Sequence, residues 1–279
     1  MTYSAPTRLV DGLVFGEGPR WRGECLWFSD MHGEAVHTVD LDGRLETVVE
    51  VPGRRPSGLG FLPDGSLLIV SMLEREILRW DGADLTVHAD LRALVPDGCN
   101  DMVVDAHGNA YVGSFPPAAD PSGVLVLVRP DGSADVAARD LSFPNGCVIA
   151  DGGRALIVAE SLGRRFTKFT IADDATLSDR SVFADVAPRG PDGICLDADG
   201  AVWAAATLAR EFVRVAPGGE VLETIVIDDR LAIACALGGP DGRTLFLLTA
   251  LEHAPDALRG TRDATIHVVN VDVPGTGSP

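Results

Sequence analysis

Six copies of one short pattern run through the sequence, and their regular spacing constrains the fold more than any other feature. Each copy starts with a polar or small residue, followed in most copies by glycine, an apolar stretch, a turn and a second β-rich run. The first residues of the copies, which we call the slot residues, are Glu17, Ser57, Asn100, Asn145, Asp192 and Ala234. Successive slot residues are 40 to 47 positions apart. The mean is about 43, the length of a four-stranded propeller blade.

The turns inside the copies predict the same architecture. Most copies place Asp-Gly or His-Gly between two β-rich runs, and glycine tolerates the positive φ that tight hairpins need. We therefore predict an all-β fold, a six-bladed β-propeller with four antiparallel strands in each blade. The last copy lacks a fourth strand. Residues from Thr7 to Val10 would supply it, so that the N-terminal strand closes the ring and removes an exposed sheet edge.

A β-sandwich with many hairpins is the alternative, but it gives no reason for a fixed period. The repeats use nearly the whole length, so we expect residues 1–279 to form a single propeller domain.

Charge and cysteine content exclude several classes of protein. There are 23 basic and 41 acidic residues, and the net charge of −18 argues against binding to nucleic acids or anionic membranes. Lys168 is the only lysine and does not lie in a Walker-type phosphate loop. The five cysteines include no C-x-x-C pair, which favours buried thiols in a reducing compartment. Neither a signal peptide nor a membrane-spanning run is visible, so we expect a cytoplasmic monomer or small homo-oligomer.

Four of the slot residues carry carboxylate or carboxamide oxygens: Glu17, Asn100, Asn145 and Asp192. The innermost strands of a propeller surround a central channel, so residues that precede these strands converge at one mouth. Converging oxygen donors are what a hard divalent cation requires, and two carboxylates offset its charge. Each motif alone also fits a turn whose side chain caps backbone groups. The shared register favours the metal site.

Three motifs around these residues resemble those of a known family. Gly16-Glu-Gly-Pro19, Phe143-Pro-Asn-Gly146 and Gly190-Pro-Asp-Gly193 are similar to motifs of the senescence marker protein/gluconolactonase/regucalcin-like (SMP-30/gluconolactonase/LRE) family. The resemblance extends from about Leu9 to Val273. It implies a six-bladed propeller with a divalent metal at the channel mouth and, for many members, hydrolysis of lactones.

The resemblance also implies roles for individual residues. Glu17, Asn145 and Asp192 match metal ligands, and Asp192 would also serve as the general base or assist it. Asn100 matches a residue that contacts the substrate or a water molecule on the metal, and that ligates the metal in related phosphotriesterase propellers. The expected ion is Ca²⁺ or Zn²⁺, with Mn²⁺ and Mg²⁺ as alternatives. Gly98 stands where sugar-lactone members often have an arginine, which argues against a sugar lactone.

The loops that follow the second strand of each blade should surround the same mouth, and they are mainly apolar. They carry Met31, His32, Met72, Leu73, Phe115 to Pro117, Leu208 and Leu251 to His253. We predict that Phe115, His32 and His253 bind the substrate together with Asn100. The predicted substrate is a small lactone or ester, less polar than a sugar lactone.

Together these features favour a metal-dependent hydrolase, specifically a lactonase that opens a small lactone ring by attack of activated water. No G-x-S-x-G motif is present, which argues against a serine esterase. A phosphotriesterase or other esterase at the same metal site is the alternative, because a metal activates phosphoryl and carbonyl centres alike. The second alternative is a non-enzymatic calcium-binding or scaffold propeller, which has no need of four oxygen donors in one register.

Overall fold

The computed structural model describes residues 5–115, 122–227 and 229–276. Within these ranges the chain forms six sheets, each of four antiparallel strands. The predicted all-β architecture with six four-stranded blades is confirmed. None of the described helices is long and apolar enough to cross a lipid bilayer.

The strands follow one another with short connections. β1 (Thr7–Leu13) comes first, and blade 1 then contains β2 (Gly16–Arg22), β3 (Cys25–Asp30), β4 (Ala35–Val39) and β5 (Leu45–Glu50). Blade 2 contains β6 (Pro56–Phe61), β7 (Leu67–Ser71), β8 (Glu76–Trp80) and β9 (Leu85–Asp90), and blade 3 contains β10 (Cys99–Val104), β11 (Ala110–Ser114), β12 (Gly123–Val128) and β13 (Ala134–Leu141). Blade 4 contains β14 (Pro144–Ala150), β15 (Ala155–Glu160), β16 (Arg165–Ile171) and β17 (Leu177–Asp185). Blade 5 contains β18 (Pro191–Leu196), β19 (Val202–Ala206), β20 (Glu211–Val215) and β21 (Val221–Val226). Blade 6 contains β22 (Leu231–Gly238), β23 (Thr244–Ala250) and β24 (Ala264–Asn270), with the short helix α1 (Pro255–Leu258) before its last strand.

The N-terminal strand closes the ring as predicted. β1 pairs with β24 in antiparallel register, from Thr7 opposite Val268 to Leu13 opposite Ala264. It is longer than the predicted Thr7 to Val10, and it supplies the fourth strand of blade 6. The outer edge of β24 is therefore paired with β1 and is not exposed.

The first strands of the six blades form the wall of the central channel. β2, β6, β10, β14, β18 and β22 contact one another in chain order, and β22 contacts β2 again. Glycine makes the closest of these approaches possible. A Cβ atom on Gly146 would lie 2.7 Å from the Asp192 carbonyl oxygen, and one on Gly193 would lie 2.5 Å from the Ala234 Cβ. Side chains at these two positions would force neighbouring strands apart, which explains the glycine after the slot residue in these copies.

The hydrophobic core is divided into six clusters, one between each pair of neighbouring blades. This follows from the alternation of side chains along a strand, since each sheet buries apolar residues on both faces. The contact between blades 6 and 1 includes Trp21 stacked on Phe246, with ring centroids 5.3 Å apart and an interplanar angle of 21°. The core therefore continues across the junction where the ring closes.

Candidate metal centre

Five slot residues occupy the second position of an innermost strand: Glu17 in β2, Ser57 in β6, Asn100 in β10, Asn145 in β14 and Asp192 in β18. Pairing with the second strand is interrupted at this point in each of the five blades, as between Pro144 and Cys147 in β14. An interruption of this kind bends a strand and changes the direction of the side chains beside it. The repeat in the sequence thus corresponds to a repeated irregularity around one end of the channel.

Glu17, Asn145 and Asp192 come from three blades, and Asp192 interacts electrostatically with each of the other two. The Thr207 hydroxyl and the Asn145 amide favour the charged form of Asp192 and so lower its pKa. Burial nevertheless raises the pKa of Asp192 to about 7. Burial, together with the charges of Asp192 and Asp101, raises the pKa of Glu17 well above its usual range. Both carboxylates are therefore poorly solvated, and the charge of Asp192 makes Glu17 harder to ionise.

Two hydroxyl side chains hold these groups in position. Thr207 Oγ1 donates to Asp192 Oδ2 at 2.7 Å, and Asn145 Nδ2 donates to Ser161 Oγ at 3.2 Å. Ser161 Oγ in turn donates to the Pro191 carbonyl at 2.6 Å, which connects blade 4 to blade 5 beside Asp192. These contacts fix one oxygen of Asp192 and the amide nitrogen of Asn145.

The other polar slot residues are also buried. Asn100 Nδ2 donates to the carbonyl of Pro144, the residue before Asn145, at 3.2 Å. The Ser57 hydroxyl is buried and has no hydrogen-bond partner among the described residues. A buried hydroxyl normally forms a hydrogen bond. A polar group bound at this mouth could supply the partner that the Ser57 hydroxyl lacks.

An ion pair lies deeper in the channel, beneath the carboxylates. Arg20 Nη2 on β2 is 3.3 Å from Asp101 Oδ1 on β10, and the same guanidinium donates to the Met102 carbonyl. Both side chains are buried, and the pair joins blade 1 to blade 3 across blade 2. Arg20 pairs with Asp101 and also lowers the pKa of Glu17, but burial and the charges of Asp192 and Asp101 outweigh that effect.

The residues of this mouth fit a divalent cation. No group of three or more His, Cys, Asp and Glu side chains that could hold a metal occurs in the described parts of the chain. A site here would therefore combine the carboxylates of Glu17 and Asp192 with the amide oxygen of Asn145. Carboxylate and amide oxygens are ligands for hard cations. Such a cation would offset the negative charges of Glu17, which is buried, and of Asp192, which is partly exposed.

The structure does not link the three predicted rim residues to this group. His32 is half-buried with its ring edge-on to Phe15, centroids 6.1 Å apart, and burial followed by the charge of Arg55 lowers its pKa. Phe115 is 40% exposed and lies edge-on to Phe143, centroids 5.0 Å apart. His253 is exposed and forms no hydrogen bond to a slot residue among the described parts of the chain. Their roles in substrate binding stay predictions, and Pro116 and Pro117 lie outside the described residues.

Sequence reasoning missed Thr207, Ser161 and the pair formed by Arg20 and Asp101. Ser161 and Thr207 each directly follow the second strand of a blade. Aligning the repeats on that position would have shown polar residues in blades 4 and 5, the blades that carry Asn145 and Asp192. Arg20 and Asp101 are 81 positions apart. No other copy of the repeat has an arginine or an aspartate at the equivalent position, so nothing in the sequence marked the pair.

The fold and the site together define a class of protein: six-bladed β-propellers that gather polar side chains from several blades at one mouth of the channel. A family model for the SMP-30/gluconolactonase/LRE-like region matches residues 15–251. The chain belongs to the SMP-30/gluconolactonase/LRE-like family, as its motifs predicted.

Individual relatives are similar over nearly their whole length. The 6-deoxy-6-sulfogluconolactonase of Pseudomonas putida is 26% identical, over 95% of this chain and 94% of the relative. The pentonolactonase XacC of Haloferax volcanii is 25% identical, over 98% of this chain and 96% of the relative. Regucalcin from Agrobacterium tumefaciens, described as a calcium-binding protein, has a solved structure that superposes with a TM-score of 0.83 at 22% identity, covering 99% of this chain and 97% of that one. This last likeness establishes a shared fold.

Proposed function

We propose that the protein is a metal-dependent lactonase that opens a small, weakly polar lactone at the channel mouth. The observation that carries this proposal is the meeting of Glu17, Asn145 and Asp192 from blades 1, 4 and 5, where poor solvation raises the pKa of both carboxylates. Relatives that are named lactonases and align over nearly the whole chain support the reaction class. A scaffold would not need two carboxylates held in so unfavourable an environment.

Glu17, Asn145 and Asp192 would hold the ion. Ca²⁺ is the first ion to test, because the ligands are all oxygens and a relative of the same fold is described as calcium-binding. Zn²⁺ is the second. When bound, a divalent cation polarises a lactone carbonyl and stabilises the negative charge that develops on its oxygen.

The protein's own side chains would supply positioning and proton transfer. Asp192 accepts a proton from the attacking water, whose oxygen bonds to the carbonyl carbon as the ring C–O bond breaks. That proton then passes to the departing ring oxygen, so the hydroxy acid is released with Asp192 ionised again. Thr207 donates to one oxygen of Asp192 and so fixes the orientation of the carboxylate.

The rim favours a substrate with apolar character. In blades 2 to 6 an exposed large hydrophobic side chain lies just after the second strand: Leu73, Phe115, Leu162, Leu208 and Leu251. The strand pairing puts these loops at the slot mouth, because Pro144 lies opposite Glu160 and Pro191 lies opposite Ala206. No arginine is present at position 98 to bind sugar hydroxyls. An alkyl-substituted lactone would cover this apolar surface, which a sugar lactone would leave in water.

A substrate panel tests both parts of the proposal. With Ca²⁺ present we expect hydrolysis of an alkyl lactone and little turnover of a phosphotriester. For an aldonolactone we expect a kcat/KM about tenfold lower, because burying one leucine side chain contributes roughly 1.5 kcal/mol or more. The variant Leu208→Ser should raise KM for the alkyl lactone about three- to tenfold and leave the aldonolactone unchanged. Leu222→Ser is the matched control, since Leu222 is an exposed leucine on the outer strand of the same blade. Equal turnover of both lactones would contradict the apolar substrate, and a preference for phosphotriesters would contradict the lactonase.

A further inference from the structure

Two cysteines meet inside the channel, away from the slot mouth. Cys195 on β18 and Cys235 on β22 have their sulfur atoms 3.7 Å apart, which is van der Waals contact. Both line a cavity of about 50 Å³ whose wall also includes Arg20, Leu237 and Thr276. These two strands are neighbours in the inner ring, so the contact joins blade 5 to blade 6.

The backbone keeps the two sulfurs together. Gly193 and Ala234 precede them, and these strands approach so closely that a Cβ on Gly193 would lie 2.5 Å from the Cβ of Ala234. The Cys235 sulfur also lies 3.7 Å from the Gly193 carbonyl oxygen and 3.5 Å from that of Trp203, both in blade 5. Cys235 is therefore seated against the neighbouring blade. The close approach of β18 and β22 thus places the two thiols side by side.

The other cysteines have different surroundings. Cys25 is half-buried on β3 in blade 1, and Cys99 is buried on β10 in blade 3. Cys147 lines the same cavity, but its sulfur contacts the carbonyl oxygen of Asn145 on its own strand, at 3.1 Å. The sequence favoured buried thiols for all five cysteines, and the geometry brings Cys195 and Cys235 together as a pair.

We propose that Cys195 and Cys235 form a dithiol site that hydrogen peroxide converts into a disulfide between blades 5 and 6. The sulfur of Cys195, which is partly exposed to the cavity, attacks one peroxide oxygen, the O–O bond breaks, and a sulfenic acid and one water form. The sulfur of Cys235 then attacks that of Cys195 and releases the second water. Two thiols lose two electrons, one peroxide gains them, and the thiol protons leave in the two waters. The sulfurs need to approach to the bonded distance of about 2.05 Å.

The bond would strengthen the ring beside its closing blade. Blade 6 contains both the last strands of the chain and β1, so separation of blade 6 from its neighbours opens the propeller. A disulfide across β18 and β22 restricts the unfolded chain and directly resists that separation. From the loop it closes and the size of the chain, we expect the oxidised protein to melt about 6 °C higher.

Oxidation with excess peroxide, followed by unfolding and alkylation, tests this proposal. Burial, followed by hydrogen bonding to Cys235, raises the pKa of the Cys195 thiol well above its usual value, so the reaction is run at mildly alkaline pH over hours. We expect two of the five thiols to escape alkylation. The mapped peptides should contain one cross-link, from Cys195 to Cys235, and the rise in Tm should disappear on reduction.

Matched variants separate the pair from general oxidation. Cys195→Ser and Cys235→Ser should each abolish the cross-link and the rise in Tm, whereas Cys25→Ser should retain both. Five alkylated thiols after peroxide treatment, a cross-link between other cysteines, or sulfinic acid at Cys195 without a cross-link would each overturn the proposal. The readouts are independent of lactone hydrolysis, so the outcome does not depend on the proposed enzymatic function.

Discussion

Asp192→Asn should lower kcat/KM for lactone hydrolysis by about 10³-fold while the protein stays folded. The amide is nearly the same size as the carboxylate and can still accept the hydrogen bond from Thr207. It cannot accept the proton of the attacking water, and it removes one of the two negative charges that would hold a cation. The measurement is steady-state hydrolysis with saturating Ca²⁺, together with a calorimetric titration of Ca²⁺ into each protein.

Two comparisons identify the cause of that loss. Thr207→Val removes only the hydroxyl that fixes Asp192, so we expect a fall of about ten- to a hundredfold in kcat, the value of a hydrogen bond to a charged group. Asp199→Asn changes an exposed aspartate of the same blade, and it should leave hydrolysis unchanged. If Asp192→Asn kept even a tenth of the activity, Asp192 would not be the general base.

Without metal, the protein should become less stable as the pH rises from about 5 to about 8. Asp192 has a pKa of about 7 in the folded protein against an ordinary value of 3.8, so the folded state binds the extra proton between these limits. Its contribution to stability is complete below the pKa of the unfolded state and is lost as the pH rises through the pKa of the folded state. At roughly 1.4 kcal/mol per pKa unit, and allowing for partial solvent exposure, we expect a loss of about 2 to 4 kcal/mol.

Thermal unfolding of the chelator-treated protein across this pH range is the measurement. Glu17 acts in the same direction, because its pKa is also raised. Surface carboxylates with lowered pKa, such as Asp90 at about 2, lose their contributions below this window. Ca²⁺ should remove the decline, since it binds the ionised carboxylates, and Asp192→Asn should reduce it without Ca²⁺ to the part that Glu17 contributes. A metal-free protein whose Tm does not change between these pH values would contradict the assigned environment of Asp192.

The repeat predicted the fold because successive blades of a propeller are formed by successive segments of nearly constant length. Each blade needs a turn, an inner strand and a small residue at nearly the same interval, so the slot residues and the closing strand near Thr7 could be read in advance. The structure explains the glycine after a slot residue, as at Gly146 and Gly193. The next inner strand lies so close that a Cβ atom at either position would clash with it.

The supporting contacts of the site could not be read in the same way. Thr207 and Ser161 lie in loops, and their partners are set by how the blades are arranged around the channel. Arg20 meets Asp101 across an intervening blade, and Cys195 meets Cys235 through the close approach of two inner strands. None of these pairs has a characteristic spacing. Their formation depends on closure of the whole ring, which no local pattern encodes.

The central claim is that hydrolysis at the channel mouth requires one divalent cation held by Glu17, Asn145 and Asp192. Its most direct test is alkyl-lactone hydrolysis by chelator-treated protein, measured as Ca²⁺ is returned in a titration. We predict negligible hydrolysis without the ion and full recovery at one equivalent, with Zn²⁺ titrated in parallel as the alternative. Full activity in protein shown to be metal-free would contradict the account.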